Sequence, residues 1–470
     1  MPPPPELEEL RRQANDLLRD YRAGDAAAVA RIAGYLEPGG RQLQLAGAQM
    51  VIAREHGFSS WARLCAYRER VEARGADLQH AFRDDLEYYE GRAFGLRASA
   101  EDGTEPALAA FRRWDAPLSD EGARTVVARE HGFPSWAALR RHVATMSDDG
   151  EPFARAYRAL ESQDVEGLRA ELDRFPELVD LRGTNGNDLL GMAAATCDER
   201  LVALLLERGA DPASANAHGW TPLHQAAYSG LPLLARTLMD AGAPVDVSAR
   251  GDGGTPLVVA LFWGNREVAE LLADQGIYPR NLRTAAGLGR LDLIDELVAP
   301  DGRLAPAAGA HRAFYRPHSG FPAWRPSDDP QEVLDEALSW AARNDRVEVL
   351  DVLIARGADG DADINRGTAL AWAAASGRAE AARRLLSLGA DPNRRTTFGG
   401  TAHGKDATAL HLAAQGGHVD VIRLLLDAGA DPAVRDGLYD SSPAGWADHA
   451  GKTEARDALS ARALRRRRRA

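Results

Sequence analysis

The residue types best suited to contacting a partner are concentrated between Pro300 and Asp329. This segment combines phenylalanine, tyrosine, tryptophan and arginine, which dominate the binding energy of protein interfaces, with prolines that restrict the backbone. A loop of about 30 residues with its own aromatic side chains is uncommon unless it is functional. The candidate contact residues here are Tyr315, Arg316, His318, Phe321, Trp324 and Arg325.

A second candidate segment runs from Arg394 to Lys405 and is basic and rich in glycine. It offers Arg395, Phe398 and His403 as contact residues. If both segments project from the same side of the fold, they form one aromatic and cationic surface. Such a surface favours an acidic or aromatic-bearing partner.

The aromatic residues of the first segment also allow a structural interpretation. Phe314, Phe321 and Trp324 can form a small core that fastens the loop to the fold, with the arginines and His318 facing outward. The two interpretations are compatible, and the residues alone leave both open.

No motif of an enzyme or metal site is present in the sequence. It contains no phosphate-binding loop, no Gly-x-Ser-x-Gly, no cysteine and histidine set at metal-binding spacing and no His-Glu-x-x-His. The phrases Arg54-Glu55-His56 and Arg129-Glu130-His131 suggest a duplicated site. However, a histidine at a helix end interacts favourably with the helix dipole, and adjacent Arg and Glu commonly form an exposed pair. We predict no catalytic residue, no cofactor and no metal.

Composition restricts the class of protein further. The 470-residue chain has a net charge of −12, which argues against broad nucleic-acid binding because such binding depends on cations that neutralise phosphates. Two cysteines indicate a reducing compartment. With no secretory signal pattern and no apolar run of membrane-spanning length, we expect a cytoplasmic protein without a membrane span. The basic tail, residues 463–470, is interpreted as a solvated chain end.

The elements that position these segments follow from a repeated phrase. Thr221-Pro222-Leu223 recurs thirty-four residues later as Thr255-Pro256-Leu257. Thr caps a helix and Pro occupies its first turn, where a missing N–H has no cost. Each phrase precedes an alanine-rich helix, a leucine-rich helix and a closing turn such as Gly429-Ala430-Asp431-Pro432. A period of about 33 residues predicts stacked helix pairs.

This pattern resembles the ankyrin repeat family. The resemblance implies an all-α solenoid of helix–turn–helix pairs joined by hairpin-like loops, with about nine repeats over residues 149–462 and a loop insertion near 300–330. It also implies that His224 and His411 hydrogen-bond neighbouring loops and have no catalytic role. Several repeats depart from the pattern, such as the fourth, which has Val258 in place of the histidine.

Residues 1–148 contain a different duplication, which predicts two helical units of about 1–75 and 76–148. The phrase from Ala53 to Trp61 recurs from Ala128 to Trp136 at an offset of 75. A glycine after a helix, a phenylalanine folding back on it, and a serine capping the next helix before a buried Trp predict a helix–turn–helix joint. The phrase resembles an amino-terminal extension found on some bacterial ankyrin repeat proteins.

The leading hypothesis is therefore a non-catalytic, monomeric scaffold that binds a protein partner. One alternative is that the duplicated amino-terminal domain reads nucleic acid or a small ligand and is regulated by the repeats. Another is an enzyme with an unrecognised site in the 300–330 insertion.

Overall fold

The computed structural model is helical, with one small sheet, and consists of two compact units, Met1–Val245 and Asp246–Ala470. The residues that it describes are 7–35, 43–55, 61, 64–65, 86–101, 103, 105–131, 133–146, 150–183, 187–216, 219–249, 252–312, 326–364, 367–398 and 405–467.

The amino-terminal part of the first unit contains two groups of helices. In the first group, two helices pack against α1, and in the second, two helices pack against α4. The second group encloses an apolar core around Tyr89, Phe111 and Leu139. The helices are α1 Leu7–Arg22, α2 Ala26–Ala33, α3 Leu45–Glu55, α4 Leu86–Glu101, α5 Glu105–Arg113, α6 Asp120–Glu130 and α7 Trp136–Met146.

Helix pairs make up the rest of this unit. A short 3-10 helix, Pro176–Asp180, follows the first pair, and the first helices of successive pairs pack on one another. The pairs are α8 Pro152–Glu161 with α9 Val165–Arg174, α10 Leu189–Thr196 with α11 Glu199–Glu207, and α12 Pro222–Ser229 with α13 Pro232–Asp240.

The described part of the second unit also consists of helix pairs, and one core of mainly alanine, leucine and valine extends from α16 to α25. The pairs are α14 Pro256–Phe262 with α15 Arg266–Ala273, α16 Leu282–Leu288 with α17 Leu291–Leu297, α18 Pro330–Arg343 with α19 Val347–Ala355, α20 Ala369–Ala375 with α21 Ala379–Ser387, α22 Ala409–Gly416 with α23 Val419–Asp427, and α24 Pro443–His449 with α25 Thr453–Arg467. Between α21 and α22, strands β1 Thr396–Thr397 and β2 Lys405–Ala407 form an antiparallel hairpin.

At two helix starts, those of α12 and α22, a threonine and a histidine cap the helix. The His224 N–H donates to Thr221 Oγ1 (3.3 Å), and the Thr221 N–H donates to His224 Nδ1 (3.2 Å). Thr408 and His411 form the same reciprocal box. Both histidines are fully buried, and Nε2 of His411 lies 3.1 Å from the Ser441 carbonyl of the next loop. The capping contact is thus present at both histidines, and the predicted contact with a neighbouring loop is confirmed for His411.

The turn inside each helix pair depends on one residue with positive φ. In the nine pairs described between Pro152 and Arg467 these residues are Gln163, Cys197, Gly230, Gly264, Gly289, Asp345, Gly377, Gly417 and Gly451. Glycine adopts this conformation without steric cost, whereas other residues do not. Asp345 has a compensating contact, because its carboxylate accepts the N–H of Ala381 in the next pair (2.9 Å).

The predicted joint after α6 is present, with one correction. Phe133 donates its N–H back to Ala128 O (2.9 Å), and Ser135 Oγ accepts the Ala138 N–H (3.3 Å). Trp136, predicted to be buried, is half-buried, because it packs at the margin of the apolar core. The Arg-Glu-His phrase has structural contacts: Arg129 donates to Pro134 O (3.1 Å), and the buried His131 ring meets Tyr89 edge to face. Gly132 lies outside the described residues, and so do residues 56–60 in the first copy of the phrase.

An aromatic contact joins α7 to the first helix pair. The His142 ring lies between Phe133 and Phe153, with ring centroids 5.0 and 5.3 Å away. Burial in this apolar setting lowers the pKa of His142 to about 4, because the charged form loses its hydration. The neutral imidazole is therefore the form that fits this joint.

The positive φ at Gln163 predicts a difference in stability between two variants, Gln163→Gly and Gln163→Ala, that both lack the glutamine side chain. We expect Gln163→Gly to unfold with a free energy about 1 kcal/mol higher than Gln163→Ala, because only glycine is unstrained at φ +57°. Urea unfolding followed by circular dichroism measures the difference. Equal stabilities for the two variants would contradict the assignment of strain.

The lowered pKa of His142 predicts a pH-dependent loss of stability. The unfolded chain binds a proton at this histidine near pH 6.5, whereas the folded protein binds it only near pH 4. Relative to His142→Leu, the wild type should lose up to about 3 kcal/mol of unfolding free energy between these pH values. Unfolding both proteins in urea at several pH values tests this. A pH-independent difference would show that His142 is not buried in its neutral form.

Candidate partner-binding loops

Both candidate segments belong to one row of loops in the second unit. Each of these loops joins the second helix of one pair to the first helix of the next: the first segment lies between α17 and α18, and the second between α21 and α22. Hydrogen bonds connect the loops to one another. The Asp391 N–H donates to Asp361 Oδ1 (2.9 Å), and the Asp431 N–H donates to Asn393 Oδ1 (2.8 Å). The two segments therefore leave from the same ends of their helix pairs.

The described residues on either side of 313–325 are tied together. Arg312 Nη1 donates to Ser327 O (2.7 Å), and the carboxylate of Glu332 accepts both the N–H and the hydroxyl of Ser327 (2.7 Å each). Glu332 also accepts from Arg312 Nη2 (3.1 Å). The chain thus leaves and re-enters the described structure at one point, beside the first turn of α18.

Below this point lies a buried ion-pair network centred on Glu336 of α18. Its side chain is 1% exposed, and its two oxygens accept from Arg283 Nη1 (3.1 Å) and Arg312 Nε (2.5 Å). Arg283 also donates to His311 O (3.2 Å), and its guanidinium lies 4.8 Å from the Trp340 ring centroid. A buried charge is tolerated when it is paired and hydrogen-bonded in this way. The network joins α16, α18 and the chain leading into the segment.

Seven of the nine candidate contact residues lie outside the described residues: Tyr315, Arg316, His318, Phe321, Trp324, Arg325 and His403. Phe314, offered above for a small core, lies outside them as well.

The other two candidates, Arg395 and Phe398, are placed by the hairpin. Phe398 is half-buried, with its ring centroid 4.7 Å from that of Trp372, and it packs against a small core that includes Leu412 and Trp446. Arg395 is exposed, and its Nη1 donates to Arg435 O (3.1 Å) in the next loop. Phe398 therefore anchors the hairpin, while Arg395 keeps much of its guanidinium in solvent.

The next loop presents two apolar side chains that the sequence analysis missed. Leu438 is 39% exposed and Tyr439 is 66% exposed, although both belong to a tightly hydrogen-bonded turn. The Asp436 N–H donates to Ser441 O (3.0 Å), and the Gly437 N–H donates to Lys405 O of the hairpin (2.8 Å). Aspartate followed by glycine signals a turn. Two large apolar residues directly after Asp436-Gly437 were therefore the sequence signal that could have predicted these exposed side chains.

One carboxylate holds this turn together. Asp436 Oδ1 accepts the N–H groups of Leu438 (2.8 Å) and Tyr439 (2.6 Å), and Oδ2 accepts the Ser441 N–H and Trp446 Nε1–H (3.0 Å each). Burial alone would raise the pKa of Asp436, but the hydrogen bonds from Tyr439, Trp446, Leu438 and Ser441 lower it below its ordinary value. The turn is therefore held by an ionised group at neutral pH.

The described residues contain neither a metal-binding cluster nor a membrane-spanning helix. Among them, no group of three or more His, Cys, Asp or Glu side chains could hold a metal ion. Within the same part of the chain, no helix combines the length and apolar character needed to cross a membrane.

The sequence matches family models for the architecture just described. The model described as "Ankyrin repeats (3 copies)" matches residues 190–282 and 282–396, and the model described as "Ankyrin repeat" matches residues 405–437. Together they cover about half of the chain. This is an ankyrin-repeat protein. The predicted all-α class and the ankyrin architecture are confirmed, and proteins of this family generally bind other proteins through their repeats.

Curated proteins similar to this ankyrin-repeat chain differ widely in kind. Potassium channel GORK of Arabidopsis thaliana is 38% identical over 104 residues, which are 21% of this chain and 12% of that protein. NF-kappa-B inhibitor delta of Mus musculus is 26% identical over 167 residues, 34% of this chain and 50% of that protein. Protein PhlB of Serratia liquefaciens is 33% identical over 121 residues, 25% of this chain and 52% of that protein. The chain spans at most about half the length of these relatives.

Among solved structures, the human ASB11 ankyrin repeat domain is 20% identical. The match covers 66% of this chain and 96% of that domain, with a TM-score of 0.27.

The Glu336 network predicts a large effect from a small chemical change. Glu336→Gln keeps the side-chain shape but removes the negative charge between two buried guanidinium groups, so we expect the unfolding free energy to fall by about 3 kcal/mol. The control is Glu380→Gln, which affects an exposed pair with Arg383 and should change stability by less than about 1 kcal/mol. Urea unfolding compares the three proteins, and equal effects of the two substitutions would rule out the proposed role of burial.

Proposed function

We propose that this ankyrin-repeat protein is a non-catalytic scaffold that binds a protein partner through the row of loops in its second unit. The observation that carries the proposal is the common origin of the two candidate segments. Both leave from the same ends of the helix pairs, and the loop between them is joined to the loop of the second segment by the hydrogen bond from the Asp391 N–H to Asp361 Oδ1. Side chains from the two segments can therefore contribute to one recognition surface.

The residues of this surface have complementary roles in the proposal. The aromatic and cationic residues 315–325 supply the side-chain types that contribute most to binding, and the clamp formed by Arg312, Ser327 and Glu332 fixes where they emerge. The exposed Arg395 adds positive charge at the hairpin. These charges favour an acidic partner and accelerate its association.

Other parts of the proposal concern the organisation of the chain. We infer that residues 1–148 form a helical domain separate from the array over 149–462, because helices α4 to α7 enclose an apolar core of their own. We also propose that the protein acts in the cytoplasm as a monomer. Sedimentation equilibrium measures the oligomeric state, and a stable dimer would exclude a monomeric scaffold.

The test of the binding proposal is affinity capture from native lysate with the wild type and a Tyr315→Ala, Trp324→Ala, Arg325→Ala triple variant. A partner captured by the wild type should bind the variant with a Kd at least about 30-fold higher, which corresponds to a loss of about 2 kcal/mol. Phe94→Ala, which changes an aromatic residue that is 65% exposed in the first unit, is the matched control and should bind normally.

Two outcomes would contradict this proposal. One is a partner that binds the triple variant as tightly as the wild type, because residues 315–325 would then contribute nothing to recognition. The other is the absence of any captured partner with a protein shown to be folded by circular dichroism.

A further inference from the structure

The turn from Asp436 to Ser441 exposes apolar side chains in a rigid setting. Leu438 and Tyr439 are adjacent and exposed, Tyr439 for most of its surface, yet the backbone N–H groups of both are held by the buried Asp436 carboxylate. Large apolar side chains at a turn make no contribution to a core, so their exposure carries a solvation cost that binding removes. A pre-ordered turn also loses little conformational entropy when a partner binds.

The stem of this turn is fixed to the hairpin and to the core. The Gly437 N–H donates to Lys405 O (2.8 Å), and Trp446 connects Asp436 to the small core that contains Leu412. Hairpin and turn therefore form one rigid surface, which we call the Leu-Tyr surface: Arg395, Lys405, Arg435, Leu438 and Tyr439.

Exposed cations border the two apolar side chains. Arg395, Lys405 and Arg435 are exposed, and Arg395 is held against the turn through its hydrogen bond to Arg435 O (3.1 Å). The exposed carboxylate of Asp440 is paired with Arg435 (3.4 Å), and Asp436 is consumed by the four donors inside the turn. Asp406 of β2 is half-buried beside Gly437, so the three cations meet three carboxylates here. Asp436 and Asp440 are engaged within the turn, which leaves Arg395 and Lys405 as the exposed cations that favour an acidic partner.

We propose that the Leu-Tyr surface binds an acidic protein segment that carries apolar side chains. Its apolar residues pack on Leu438 and Tyr439, and its carboxylates contact Arg395 and Lys405. The inference rests on the proposed scaffold function and adds to it a second binding element and the chemistry of the partner. Tyr439 offers one face on which a base stacks, but Leu438 beside it is matched by the aliphatic side chains that a protein segment supplies, so a protein fits better than a nucleic acid.

The probe for this inference is a phage-displayed library of random peptides selected on the immobilised full chain. Enriched peptides should combine several acidic residues with apolar or aromatic ones. A synthetic peptide of the enriched sequence is then titrated against wild type and variants by fluorescence anisotropy, over a range of salt concentrations. Affinity for the wild type should fall as salt rises, because part of it is electrostatic.

Three variants separate the contributions. Leu438→Ala with Tyr439→Ala should raise the Kd at least about tenfold, because it removes the apolar contacts. Lys405→Glu should raise the Kd and weaken the salt dependence. Phe94→Ala, with nearly the same aromatic exposure as Tyr439, should leave the Kd unchanged. All these side chains are exposed, and a melting curve for each variant verifies that the fold is retained.

Several outcomes would overturn the inference. A library that enriches no peptide, peptides without acidic residues, or a Kd unchanged by the Leu438 and Tyr439 substitutions would each show that this surface does not bind acidic segments. Peptides that lose affinity only for the Tyr315, Trp324 and Arg325 triple variant would show that the Leu-Tyr surface is not their binding site, while supporting the scaffold function. Self-association of the wild type that the double variant abolishes would identify a second copy of the chain as the occupant.

Discussion

The ion pairs of the buried Glu336 carboxylate determine how α16 packs on α18 and where the longest insertion begins. The carboxylate lies in α18, accepts from Arg283 of α16 and holds Arg312 at the point where the chain enters the longest insertion. A lone carboxylate in this position would be costly, and so would either guanidinium. Each of the three charges offsets the cost of burying the others, so Glu336, Arg283 and Arg312 must be ordered together. The network therefore couples the packing of two repeats to the position of one loop.

A third buried arginine, Arg343, shows how the same unit tolerates a cation in another way. Arg343 is fully buried at the end of α18, where its guanidinium lies 3.7 Å from the Trp372 ring centroid and also faces Phe262 and Trp340. Its donors reach the carbonyls of Phe262 and Ser339. Aromatic faces and carbonyl oxygens thus solvate the charge in place of water. Polar contacts across repeats therefore add specificity to a core of small apolar residues.

Local sequence signals predicted the repeats well, because each of those signals acts within a few residues. Thr221, Pro222 and His224 start a helix through contacts with one another, so their spacing suffices to recognise it. The partnership of Arg312 with Glu336 is different, because the two residues are separated by the insertion and neither belongs to a repeated phrase. Trp136 was predicted to be buried but is half-buried, since a sequence pattern does not distinguish the margin of a core from its centre.

For the candidate contact residues, too, the contacts that matter join residues distant in sequence. Composition singled out Phe398 as a contact residue, but its ring packs against Trp372 of α20, a contact between a hairpin and a helix that composition does not reveal. Leu438 and Tyr439 escaped notice because ordinary apolar residues acquire significance only when the fold leaves them in solvent. The signal that would have found them is the Asp436-Gly437 pair, read as a rigid turn around two large side chains.

The clamp that brings Arg312 next to Ser327 has a consequence for the covalent continuity of the chain. Among the described residues, contacts of Glu336, Glu332 and the α16–α18 interface join the second unit across the segment 313–325. A single peptide-bond cleavage in that segment would therefore leave every one of these contacts in place. The two fragments would stay associated as a nicked but folded protein, and separately produced halves divided there would be able to reassemble.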